Sequence, residues 1–130
     1  MAHDFSTPEG ALLKLEDAYR ERDIEAAVAC KDFRREAEMM LARMGSTLAT
    51  NVEIVGETAK VLELAFRKEI QDSGFPDFEG VESTFPTKET RPDGTVVVTE
   101  VCRFPDGGTS EQRVQAWHTP SGWRVLTPAG

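Results

Sequence analysis

Three observations predict an α+β fold: apolar residues recur at helical spacing up to Pro76, they alternate after it, and three Pro-plus-Gly segments punctuate the alternating half. Ser6-Thr7-Pro8-Glu9 reads as a helix start, with a hydroxyl cap, proline at the first helical position and an acid facing the positive end of the dipole. Leu12, Leu15 and Tyr19, with Ala11 and Ala18, form the apolar stripe of a helix over 8–22. Asp23 caps a short second helix through Ile24, Ala27 and Val28. Asp32 starts a third, whose stripe of Phe33, Ala37, Met40, Leu41 and Met44 ends at Gly45. No Gly or Pro enforces a break near Lys31, so these two helices are equally readable as one. Gly45–Thr50 is expected to be a loop. Thr50-Asn51-Val52-Glu53 matches a capping box before a long helix with Val55, Ala59, Leu62, Phe66 and Ile70 on one face.

Beyond Pro76, strands are expected at Val81–Glu89, Thr95–Phe104, Thr109–His118 and Trp123–Thr127. The segments Arg91-Pro92-Asp93-Gly94, Pro105-Asp106-Gly107-Gly108 and Thr119-Pro120-Ser121-Gly122 between them are too short for anything but antiparallel neighbours. The predicted sheet is a four-stranded meander with helices covering one face. At 130 residues and 39% apolar content the chain reads as one domain, 1–130, able to hold a core without disulfides or a structural metal.

Charge and composition narrow the function classes. With 23 acidic against 15 basic side chains and a net charge of −8, no nucleic-acid partner is expected, because phosphate binding draws on Lys and Arg. The longest apolar run, Ala26–Cys30, falls far short of the roughly 20 residues of a spanning helix, so no membrane partner is expected. The first residues lack a basic-then-apolar signal, and a cytoplasmic location is expected, where Cys30 and Cys102 stay thiols. His3, Cys30, Cys102 and His118 show no paired ligand spacing, so neither a metal nor another cofactor is expected.

Ala18-Tyr19-Arg20-Glu21-Arg22-Asp23-Ile24-Glu25-Ala26-Ala27 and Gly122-Trp123-Arg124-Val125, in a helix-then-meander order, resemble the NTF2-like proteins, the group of ketosteroid isomerase and the SnoaL-like cyclases. The resemblance implies a cone, with N-terminal helices packed in a curved four-to-five-stranded antiparallel sheet. The long helix 51–73 and the missing early strand between Gly45 and Asn51 depart from that pattern. Leu15-Glu16-Asp17-Ala18-Tyr19, Lys31-Asp32-Phe33 and the acidic balance look most like the NTF2-fold immunity proteins of bacterial toxin systems.

That family's enzymes carry acids and bases on the concave face of the sheet. Alternation puts Val96, Val98, Glu100, Cys102 and Phe104 on one face, where Glu100 is the single acid. It is either a catalytic acid or base raised by its apolar surroundings, or a rim carboxylate paired with Arg103 or Arg113. His118, on the side of Gln112, Val114 and Ala116, is its candidate partner or a solvent-facing turn residue. Asp32 is a second acid or a helix cap. Tyr19, Phe33 and Cys102 are candidate pocket residues, and Met39 and Met40 either line the pocket or belong to the core.

The lack of a convergent acid/base set favours binding over catalysis. The first expectation is therefore an immunity protein that docks on a cationic toxin, steered by Glu16, Asp17, Glu21, Glu36 and Glu38 on exposed helix faces and anchored by Trp117 or Trp123. The alternative is a small isomerase-, cyclase- or dehydratase-type enzyme, or a ligand-binding module, using the cone. A homodimer through the outer sheet face is a further expectation.

Overall fold

Local signals open every helix. In the computed structural model, which describes residues 2–45 and 47–128, Thr7 caps α1 (Pro8–Glu21) by accepting from the Gly10 amide at 2.9 Å. Asp23 caps α2 (Ile24–Ala29) and Asp32 caps α3 (Phe33–Arg43), each accepting from the third amide onward. Asn51 caps α4 (Val52–Ser73) by accepting from Glu53 and Ile54. The cap is thus one residue later than the capping box implies. The Thr50 hydroxyl instead donates to the Thr47 carbonyl and closes a short 3-10 turn, Thr47–Thr50, inside the expected loop. Ser46, also in that loop, lies outside the described residues.

Four strands follow, β1 (Glu82–Thr90), β2 (Val96–Arg103), β3 (Thr109–Thr119) and β4 (Gly122–Pro128), in the spatial order β1-β2-β3-β4 and all antiparallel. The helices pack with this open sheet, an α+β architecture. The register slips at Phe85-Pro86 on the edge strand β1, and the proline sits in this bulge, outside the paired positions, so its missing N–H breaks no ladder bond. Gly122, at φ +107°, is required at its turn: a Cβ there would sit 2.6 Å from the Phe5 carbonyl, which accepts from the Trp123 amide.

Helices α2 and α3 are separate, and the reason is tertiary. The Val125 amide donates to the Cys30 carbonyl at 2.8 Å and the Asp32 amide to the Val125 carbonyl at 3.3 Å, so Lys31 pairs with β4 in an isolated parallel bridge. An extended residue there interrupts the helix and places Lys31 beside the last strand.

The main core joins Leu12, Leu15 and Ala18 of α1 to Ala27, Cys30, Val114 and Val125. A second cluster of Ala37, Leu41 and Val55 seats α4 on α3. The expected inward face of α4 is observed, with Val55 and Ile70 buried and Ala59, Leu62 and Phe66 half-buried. The α3 stripe is narrower than predicted, because Met40 and Met44 are exposed and Glu36 takes an inward place.

Candidate functional site

Between α1, Lys31, α4 and the β3–β4 pair lies a cavity of about 380 Å³. Its walls are mostly apolar, from Leu12 and Leu15 through Phe66 to Leu126, and its polar groups are Glu16, Tyr19, Lys31 and Gln112. Few polar groups converging in an apolar hollow are what a small-molecule site needs for orientation and specificity.

Glu16 stands one helical turn after Leu12 and three residues before Tyr19, within the buried face of α1, and only 1% of its surface is exposed. Glu100 on β2 is fully buried, accepting from the Gln112 amide at 2.6 Å across the β2–β3 ladder. The Glu100 carboxyl acts directly on that of Glu16. Burial first, and then the adjoining Glu100 carboxyl, push the Glu16 carboxyl from 4.5 up to about 9, so it carries a proton at neutral pH. Ser83 of β1 donates to Glu16 Oε1 at 3.0 Å. Glu16 Oε2 and Glu100 Oε2 are both buried without a hydrogen-bond partner. Beside them, burial with the nearby Cys30 and Glu16 holds the Tyr19 phenol up at about 12. At neutral pH the cavity thus presents a neutral acid and a neutral phenol.

A second buried pair occupies another wall. Lys31 Nζ lies 3.5 Å from Glu36 Oε1 and sits over the rings of Phe33 and Phe66, 5.8 and 5.6 Å from their centroids. Burial lowers the Lys31 pKa against the pull of Glu36 and raises that of Glu36 against the pull of Lys31.

The structure redistributes the residues nominated from sequence. Glu100 is an interior acid, not a rim acid paired with Arg103 or Arg113, since Gln112 bonds it and Arg113 reaches Glu89. Its predicted row ends early, because Phe104 is exposed beyond β2, while Val97, of the opposite parity, is buried. His118 does not join Glu100. It pairs in register with Trp123, six residues or roughly 20 Å of strand from Gln112, and is exposed with its ring 5.0 Å from that of Trp123. Tyr19 lines the cavity. Phe33 does not; it is buried behind Lys31 and tilted on Phe66 at 5.6 Å. Cys102 is also outside the lining, buried with its sulfur 3.7 Å from the Ser83 hydroxyl. Asp32 is a cap.

Among the proposed steering acids, Glu16 and Glu36 are corrected from surface to interior, because helical spacing places each inside an apolar stripe. Asp17 pairs with Arg20 and His3, Glu38 pairs with Arg35, and Glu21 is exposed. Trp117 and Trp123 are both half-buried. The Arg35 guanidinium covers the Trp117 ring at 4.0 Å, and Trp123 packs on the main core. Sequence reasoning missed Glu16 and Lys31 as cavity groups; the position of Glu16 at i+4 from Leu12 was the available signal, whereas nothing local marks Lys31.

Fold and site together define an α+β protein whose apolar cavity is lined by one member of each of two buried ionisable pairs, Glu16 beside Glu100 and Lys31 beside Glu36. Compared with known proteins, the chain matches no family model, no curated protein and no solved structure. Among the described residues no helix is long and apolar enough to cross a membrane, and no group of three or more His, Cys, Asp or Glu side chains is placed to hold a metal ion.

Proposed function

We propose that the protein binds an apolar, ring-bearing carbonyl compound in this cavity and moves a proton to or from its oxygen, the enzyme alternative of the NTF2-like reading. The observation that supports it is the Glu16–Glu100 pair, with Glu16 in the cavity wall and protonated at neutral pH. A neutral carboxylic acid is a strong donor to a carbonyl oxygen, and it can give up or take back its proton as charge develops on the ligand. Tyr19, three residues on along α1, adds a second neutral donor.

The bicyclic ketone 2-tetralone is a suitable probe. In D2O the protein is expected to shift amide signals within 12–19 and 112–126 on binding and to speed exchange of the α-protons seen by NMR. Glu16→Gln should keep the shifts and lose most of the acceleration, because an amide donates a hydrogen bond without giving up a proton. If tetralone moves no amide in those segments, the small-molecule reading fails.

Docking on a cationic protein is the second reading, supported by the net charge of −8 and by the solvent-facing Asp17, Glu21 and Glu38. Association that slows with added salt would support it, and an on-rate indifferent to salt would remove it.

A further inference from the structure

We propose that Lys31 is an imine-forming amine, so that the cavity takes an aldehyde or ketone whose carbonyl carbon bonds covalently to Lys31 Nζ. The inference rests on the cavity being a small-molecule site, and it adds a second chemistry to that site.

Placement carries the argument. The chain has five lysines, and Lys14, Lys60, Lys68 and Lys88 are exposed. The Lys31 side chain is 9% exposed and lines the cavity, because the bridge to Val125 holds its backbone against β4. Its nearest charged neighbour is Glu36, and the other oxygen of Glu36, Oε2, is buried with no partner. A lysine in water is almost wholly protonated and unreactive near pH 7, whereas burial away from water favours the free amine that attacks carbonyls. Burial acts in that direction on Lys31.

The neighbours also suit the steps. Glu36 takes a proton from the Lys31 ammonium, and the amine lone pair forms the N–C bond as the carbonyl π pair moves onto oxygen. A proton shift from nitrogen to oxygen, relayed by the Glu36 carboxyl, gives the neutral carbinolamine. Glu36 then protonates the hydroxyl, the C–O bond breaks with release of water, and the nitrogen lone pair completes the C=N bond. Overall an ammonium and a carbonyl become an iminium and water, with no change of oxidation state. The pair ends as it began, one cation beside one carboxylate, and the faces of Phe33 and Phe66 that held the ammonium hold the iminium. No step leaves an unpaired charge in the interior.

Borohydride trapping tests this. The folded protein is incubated near pH 7 with 2-naphthaldehyde, which has no α-proton, and with cyanoborohydride, then digested and mapped by mass spectrometry. The reduced adduct is expected on Lys31 at least about tenfold faster than on the exposed lysines. The preference should vanish in urea-unfolded protein, and excess 2-tetralone should suppress it. Lys31→Arg keeps the cation and should show only the slow background on the other four. Glu36→Gln, if folded, should slow labelling of Lys31. If the naphthaldehyde labels Lys31 no faster than its exposed counterparts while tetralone still shifts the cavity amides, the imine is overturned and the small-molecule reading stands. Selective Lys31 labelling with no acceleration of tetralone α-proton exchange by the protein supports the imine and removes the proton-transfer reading.

Discussion

The two buried pairs each turn one member, Glu16 or Lys31, into the cavity, and they respond to burial in opposite ways. Glu16 and Glu100 would carry like charges if both were ionised, so low dielectric and proximity keep Glu16 protonated. Lys31 and Glu36 carry opposite charges, so burial is opposed by their mutual attraction and each is pulled back toward its ionised form. The difference teaches where substitution is costly. A like-charged pair has already neutralised one member, and an uncharged analogue can replace it; an oppositely charged pair depends on both members, since losing either leaves the other buried alone.

Breaking the Lys31–Glu36 pair should have the largest effect. Glu36→Leu is expected to cost about 3–5 kcal/mol in urea denaturation, because it strands the Lys31 ammonium. The double variant Lys31→Met with Glu36→Leu should regain most of that loss. A single-variant cost near zero would mean the pair is neutral in the folded protein and would erase the contrast.

The acid pair makes a pH prediction with a definite sign. The folded protein holds a proton on Glu16 up to about pH 9, whereas the unfolded chain releases it near 4.5. Between those values the unfolded state binds fewer protons, so this group's contribution is fully present below pH 4.5 and is lost as pH rises toward 9, with a slope of at most about 1.4 kcal/mol per pH unit. Glu16→Gln removes the titration. Its stability relative to the native protein should therefore rise steadily from pH 5 to pH 9 in chemical denaturation, and parallel curves would show that Glu16 is ionised in the fold.

The smallest expected effect sharpens the comparison at its edge. Asp32→Asn keeps the α3 cap, so stability should change by only a few tenths of a kcal/mol. It also removes a carboxylate that helps raise the Glu36 pKa, so the Glu36 carboxyl should titrate lower by NMR. An unchanged Glu36 titration would show that Asp32 does not reach it electrostatically.

Legibility followed the range of the signal. The caps at Thr7, Asp23 and Asp32 and the three turns act over three or four residues, and all were readable. Glu100 was found because strand parity is also local. The charge of Glu16 points to the surface while its place at i+4 from Leu12 points to the stripe, and the fold follows the spacing. His118 was matched to Glu100 by parity without regard to distance along β3, which the register with Trp123 decides.

By itself the sequence determined the helices before Pro76, the meander after it and the faces that Leu12, Leu15, Val55 and Ile70 turn inward, because periodicity and capping are written within one or two turns of chain. Only the tertiary structure decided which polar groups meet. Glu16 reaches Glu100 because α1 lies on the sheet, and Lys31 enters the cavity because β4 returns to hydrogen-bond residues 30–32. Contacts between segments 84 residues apart (Glu16 and Glu100) and 94 apart (Lys31 and Val125) depend on chain closure and packing, which leave no local pattern.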